Sequence, residues 1–290
     1  MRLAALDLPA FTRPEISVYT LETKMTDGST TMGVVSVSAE SSEQRLRVSV
    51  VMPSFNEAGS IEDAVRDVQQ HVFAVVPNAE LVVVDSSRDD SPEILNRLAK
   101  EDDRVRVIFQ PPCGHGPALR AGMDAARGEY LLLIDSDRQI PLDVFPSLWQ
   151  QAEGRDAVMG MRVQRDDPFL RLCLTKVVRQ AIAILFGQRI YDTNVPFKIV
   201  RRSVWQQAAP LMTPDTLAPS LFLAIFLHVG RFDVAVRETP HQARRTGTVS
   251  IRRWKLFKVC LKAFRQLLQF RTRLKQWQIE RHSVPEGSAR

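Results

Sequence analysis

Between residues 47 and 134 the chain alternates short apolar, β-branched runs with amphipathic stretches, and few folds accommodate that alternation. Residues 47–52 read as a strand stopped at Pro53. Ser60 stands where it can cap a helix whose face carries Ile61, Ala64, Val65, Val68 and Val72. Residues 81–84 read as a buried strand ending in Asp85, and Ser91-Pro92-Glu93 as a helix start with proline in the first turn. A strand over 105–109, a helix from about 117 to 126 and a strand over 130–134 complete the run. Strands that are apolar almost without a break, separated by helices, imply a mostly parallel α/β sheet covered on both faces. Ligands of such sheets bind at the carboxyl ends of the strands. The chemistry is therefore expected at 53–57, at 85–90 and after Ile134.

The 290 residues, 44% apolar and 25% charged, suffice to bury a substantial core in one large domain or two small ones. No apolar run reaches the ~18–20 residues that cross a bilayer; the longest, 221–229, contains His228. Asp7 and Pro9 interrupt the apolar start of the chain, so no secretory signal is expected and the protein is expected to face the cytoplasm. Cys113, Cys173 and Cys260 lie at least 60 residues apart, a spacing that suits neither a zinc site nor a disulfide framework. Residues 1–46 read as an extension, with a hairpin expected about Asp27-Gly28.

Charge is distributed unevenly. The net charge is +6, yet residues 239–279 contain no Asp or Glu and 11 Lys or Arg, leaving 28 basic against 33 acidic residues elsewhere. A mildly acidic body with one cationic segment points to an anionic partner surface. Within that segment 251–274 reads as a helix: Phe257, Cys260, Leu261, Phe264, Leu267 and Leu268 recur on one face, and Lys255, Lys258, Lys262 and Arg265 on another. With Trp254 and Trp277 at its flanks, the stretch (251–281) suits an amphipathic helix in the interface of an anionic membrane. The alternative is a helix packed on the body with a solvated basic face. No motif supports nucleic acid as the partner. Residues 282–290 read as a disordered tail.

The strand at 130–134 runs into Asp135-Ser136-Asp137, followed by Gln139 and Pro141. Two carboxylates two residues apart at a strand end can share a divalent cation with a diphosphate. A bare pair of this kind is expected about once by chance among 19 aspartates, so its weight comes from its place at the fourth strand's end. Together, Val50-Val51-Met52-Pro53-Ser54-Phe55-Asn56-Glu57, Val84-Asp85 with Asp90, and Ala125–Gly128 leading to Asp135-Ser136-Asp137 resemble the family-2 glycosyltransferases of GT-A fold, over about residues 47–250. The resemblance implies inverting transfer of a sugar from a UDP- or GDP-linked donor. It implies that Pro53, Asn56, Glu57 and Asp85 cradle the nucleoside. Asp135, Asp137 and Gln139 would serve the rest of the donor, with Mg2+ or Mn2+ on Asp137 and Asp135. One departure stands out: the family often has a second acidic residue after its first strand-end aspartate, where this chain has Ser86, and Ser87-Arg88 replace its usual Gly-Ser. Read alone, 85–90 is a capped strand-to-helix turn.

The middle of the chain resembles the polyprenyl-phosphate glycosyltransferases, dolichyl-phosphate mannose synthases among them. The matching residues are Gly160-Met161-Arg162, Arg165, Asp167, Arg171, Thr175, Asp192-Thr193-Asn194, Phe197-Lys198, and His241 with Arg244, Arg245, Gly247 and Ser250. Arginine forks suit an acceptor phosphate because they bind it through two parallel hydrogen bonds. The resemblance places Arg162 and Arg171 there, with Thr175, His241 and Arg244 as further phosphate contacts and Asp192 orienting the acceptor or acting as base. Asp192 equally suits a structural ion pair. Gly114-His115-Gly116 reads only as a flexible turn before a helix. The expected activity is transfer of a hexose-type sugar to undecaprenyl or dolichyl phosphate, by a protein peripheral to the inner membrane face or held by a membrane subunit. Transfer to a soluble acceptor, or a non-catalytic membrane adaptor of the same fold, are the alternatives.

Overall fold

A computed structural model describes residues 46–162, 169–187, 195, 197–240 and 253–283. The hairpin expected near Asp27 lies outside them. The elements are β1 (Val48–Ser54), α1 (Ile61–Val68, continued by a π turn over Gln69–Phe73), β2 (Ala79–Asp85), α2 (Ser91–Glu101), β3 (Val105–Phe109), α3 (His115–Ala125) and β4 (Tyr130–Leu133). After them come α4 (Phe145–Ala152), β5 (Ala157–Arg162), α5 (Phe169–Phe186), β6 (Lys198–Arg201), α6 (Arg202–Ala208), α7 (Pro219–Val229), β7 (Val234–Thr239) and α8 (Arg253–Ser283).

The strands form one seven-stranded sheet in the order β3-β2-β1-β4-β6-β5-β7. β1 to β4 are parallel, β6 runs antiparallel to both β4 and β5, and β7 runs parallel to β5. Both faces are covered. Val48, Val50 and Met52 point into a core with α1, α2 and α4, whereas Val51 on the same strand joins α3, α6, α7 and α8 on the other face. That two-sided burial is why the central strands are apolar at successive positions.

Three expectations are corrected here. Ser60 does not cap α1 with its side chain; its hydroxyl donates to Glu57 Oε2 at 2.9 Å instead. The expected apolar face of α8 is divided: Leu267 packs inward with Phe270 and Leu274, while Leu261, Phe264 and Leu268 stay exposed. Trp277 is no lipid anchor, since its ring lies 4.7 Å from that of Phe226. Burying Leu267, Phe270 and Leu274 stabilises the seating of α8 by about 1.5–3 kcal/mol each. Among the described residues, no helix is long and apolar enough to cross a membrane.

Candidate active site

At the carboxyl edge of the sheet two turns are laced together. Beyond β1, Asn56 takes a left-handed backbone conformation (φ 55°), accepts a hydrogen bond from Arg88 N at 2.8 Å through its side chain, and donates its own N–H to Ser87 Oγ at 2.7 Å. Beyond β2, Asp85 is 1% exposed and accepts from Ser87 Oγ at 2.6 Å and Ser87 N at 3.2 Å. Asp89 accepts from Ser91 Oγ at 2.6 Å and from Ala58 N at 3.1 Å. Burial opposes ionisation of Asp89, but these hydrogen bonds hold its carboxyl below the usual aspartate value.

The acidic loop beyond β4 stands beside these turns. Its middle residue, Arg138, also adopts a left-handed conformation (φ 56°), which costs an arginine energy that neighbouring contacts must offset. Those contacts are ion pairs to Asp63 at 2.8 Å and Asp67 at 2.6 Å on α1. Gln139 N donates to Asp137 Oδ1 at 3.2 Å. The loop is thus pinned to α1 on one side, and Asp135, Ser136 and Asp137 line a cleft of about 410 Å3 on the other.

Of the expected donor residues, Pro53, Glu57, Asp135 and Asp137 line this cleft. Asp85 and Asn56 are committed to the turns behind it, and the side of Gln139 faces a small cavity with Asp67 and Phe197. Arg162 ends β5, and Arg171 and Thr175 lie one turn apart on α5. Asp192, His241 and Arg244 lie outside the described residues.

Sequence reasoning missed His115. Gly114, at φ 95°, lets the chain turn sharply into α3, and His115 Nε2 comes to 3.0 Å from Asp135 Oδ1. The His115 side chain is 60% exposed at the rim of the cleft; its partial desolvation there opposes a charged imidazole, but the Asp135 hydrogen bond and the charges of Asp135 and Asp137 raise its pKa above the usual value. The topology held the signal: the β3–α3 turn shares the carboxyl edge with the three turns named in advance. Ser54, Ser86 and Phe55 also line the cleft and were not assigned to it.

The donor set fits a divalent cation. Asp135 and Asp137 supply carboxylate oxygens at the cleft's lip. Among the described residues no group of three or more His, Cys, Asp or Glu side chains is suited to enclose an ion. Two carboxylates with open space beside them match a hard cation completed by substrate phosphates and water.

The model for "Glycosyl transferase family 2" matches residues 49–206. An undecaprenyl-phosphate 4-deoxy-4-formamido-L-arabinose transferase of Pseudomonas aeruginosa (strain LESB58) is 30% identical over 198 residues, covering 67% of this chain and 58% of its own length. A transferase of the same name from Shewanella sediminis is 27% identical over 208 residues, covering 70% and 63%. This chain therefore spans about three fifths of the length of these curated relatives. Among solved structures, glucosyl-3-phosphoglycerate synthase from Mycobacterium tuberculosis superposes with a TM-score of 0.54 at 21% identity, over 79% of this chain and 80% of its own. A mannosyltransferase from Pyrobaculum calidifontis, solved with GDP-Man and Mn2+, gives 0.51 at 21% identity, over 70% and 59%. These two likenesses concern the fold, which is GT-A. With the family model matching more than half of its length, across 49–206, the chain belongs to glycosyltransferase family 2.

Proposed function

We propose that this chain transfers a sugar from a UDP- or GDP-linked donor to a polyprenyl phosphate, with inversion at the anomeric carbon, as a peripheral protein of the inner membrane face. One observation carries the reading. The Asp135/Asp137 pair opens onto a cleft of about 410 Å3 in a chain whose curated relatives are named as undecaprenyl-phosphate sugar transferases.

In this scheme an acceptor phosphate oxygen attacks the anomeric carbon. The bond from that carbon to the diphosphate breaks, and the nucleoside diphosphate leaves with the electron pair. The nucleophile is already anionic near neutrality, so it needs little general-base help, and the protein's task is mainly positioning. Asp135 and Asp137 would hold Mg2+ or Mn2+, which would supply positive charge for the departing diphosphate. Pro53 and Glu57 flank the nucleoside, Asn56 and Asp85 fix the turns that shape its pocket, and Gln139 braces Asp137 through its backbone N–H. Arg162, Arg171, Thr175, His241 and Arg244 receive the acceptor phosphate, and Asp192 orients it.

Membrane contact fits the exposed surfaces of α5 and α8, which pack together. Val177 and Ile184 on α5 are 64% and 71% exposed, and Leu261 and Phe264 on α8 are 61% and 49% exposed. Lys258, Lys262, Arg265, Arg273 and Lys275 lie on the outer surface of α8. The helix that bears Arg171 and Thr175 thus also bears lipid-compatible side chains. Replacing both Leu261 and Phe264 by Glu is expected to weaken flotation with anionic vesicles at least about tenfold at low salt, with little change in thermal stability. Wild-type binding should itself fall with added salt. Equal flotation of variant and wild type would remove α8 from the interface.

A soluble acceptor is the second reading, and the inward packing of Phe270, Leu274 and Trp277 favours it, because a helix seated on the body needs no lipid. A radiolabelled-donor assay with and without polyprenyl phosphate separates the two. Label entering the organic phase only when the lipid is present is the expected result; transfer to water-soluble product alone would overturn the proposal.

A further inference from the structure

Arg138 belongs to the acidic loop, yet it does not line the donor cleft. Its left-handed backbone (φ 56°) turns the chain so that Gln139 N comes to 3.2 Å from Asp137 Oδ1, an Asx-turn with Arg138 as its central residue. The rotation of the Asp137 carboxylate therefore depends on how residue 138 is held. An arginine does not favour that conformation by itself, so the restraint must come from outside the loop. It comes from α1. Asp63 and Asp67 stand four residues apart there, a like-charge pair that is unfavourable on a helix face by itself. Arg138 answers both problems at once: Nη1 donates to Asp63 Oδ2 at 2.8 Å and Nε to Asp67 Oδ2 at 2.6 Å. Two bonds from one planar guanidinium fix its orientation as well as its position. They contribute little to the stability of the fold, because the Asp63 side chain is 69% exposed and ion pairs in water are weak. Their effect is on direction.

We infer that Arg138 is a positioning residue for the divalent cation: latched to Asp63 and Asp67, it presets the Asp137 carboxylate and so tightens binding of a metal-bound nucleotide that it does not touch. The inference rests on the donor and cation reading proposed above. A loop without the latch samples several orientations of Asp137, and the affinity for the cation falls by the fraction of time the competent one is absent. Contacts to the nucleoside at the turns beyond β1 and β2 do not pass through Arg138, so binding without metal is untouched. Residues that orient a metal ligand from behind commonly change metal affinity by about 10–100-fold.

The test is calorimetric titration of UDP and GDP, each with Mn2+ and each with EDTA, into wild type, Arg138→Gly, Asp63→Asn/Asp67→Asn and the triple variant, with melting curves for all. Glycine adopts the left-handed backbone without strain, so Arg138→Gly removes the fork alone. The gain in nucleotide affinity that Mn2+ confers on wild type is expected to fall at least about tenfold in Arg138→Gly. Asp63→Asn/Asp67→Asn should show the same loss and the triple variant no more, because all three break one device. Affinity in EDTA and melting temperature should change little. Should the triple variant fail to fold, the other two decide. An undiminished Mn2+ gain in both, or a loss of equal size with and without Mn2+, would overturn the positioning role and leave the donor cleft standing. Wild type that binds nucleotide no tighter with Mn2+ would overturn the cation reading of the acidic loop and this inference with it. Wild type that binds neither nucleotide would overturn the donor reading, on which both depend.

Discussion

Asp137→Ala is expected to lower nucleotide-sugar turnover by about three orders of magnitude while the protein remains folded. The two halves of that expectation have separate causes. Asp137 sits on a loop at the lip of the cleft, outside the apolar clusters that hold the sheet and helices together. Arg138, through Asp63 and Asp67, keeps the loop on α1 whether or not Asp137 is present. Thermal stability should therefore move little. Turnover should collapse, because the departing diphosphate would lose one of the two carboxylates proposed to bring a cation to it. A neutral comparison is Asp233→Ala, which removes only an exposed ion pair to Arg155 at 2.7 Å and should cost well under 1 kcal/mol with normal turnover. Substantial residual turnover in Asp137→Ala would refute the role given to the acidic loop. Complete absence of turnover in wild type would instead favour an adaptor of the same fold.

Gly116→Ala is the second large effect, and it acts on stability and donor binding together. A Cβ at this position would lie 2.3 Å from the backbone oxygens of both Thr216 and Leu217, a distance that backbone atoms cannot absorb by rotating. The opposing segment has little room to retreat. Gln266 of α8 is 7% exposed; its Oε1 accepts from Leu217 N at 3.0 Å and its Nε2 donates to Asp215 O at 3.0 Å. The added methyl group must push α3 outward or pull this clamp apart. Overpacking of this kind costs about 1–3 kcal/mol, or roughly 3–10 °C in melting temperature for a domain of this size. Because α3 also carries His115 and Ala118 to the cleft, donor affinity should fall with it. A variant with wild-type melting and wild-type donor affinity would show that the contact between α3 and residues 216–217 is looser than described.

The same clamp connects the cationic helix to the donor cleft. Gln266 holds the 215–217 segment, Gly116 packs against that segment, and His115 beside it touches Asp135. The helix proposed to meet the membrane is thus linked, through residues 215–217, to the helix that carries His115 to the cleft, so docking it would fix the direction in which the cleft faces.

Strands β1, β2 and β4 were legible because they are buried on both faces. Val48 to Met52 and Leu81 to Val84 have no polar position facing solvent, and each run ends at a residue that cannot continue it or at a charged turn. That pattern alone located three of the loops at the carboxyl edge. The second half was harder to read for physical reasons. β6 is only four residues long and antiparallel, and its buried Lys198 donates to Ser220 Oγ at 2.8 Å, so it looks polar where it is interior. α7 is apolar on every side and gives no period to detect. α8 has apolar residues on two faces, and no sequence pattern says which one the body covers until Phe222 and Phe226 are seen meeting Phe270 and Trp277. The site was legible where its side chains act from strand ends, as with Asp135 and Asp137. His115 was not, because its role depends on Gly114 bending the chain back toward a carboxylate 20 residues further on.

The most direct test is anomalous diffraction from crystals grown with Mn2+ and a nucleoside diphosphate. The account predicts one manganese peak within coordination distance of an Asp137 or Asp135 carboxylate and of a diphosphate oxygen, with the nucleoside running from β4 toward the tips of β1 and β2. Nucleotide bound with its diphosphate away from the acidic loop, or a cleft that stays closed by the chain's own side chains at saturating nucleotide, would contradict it.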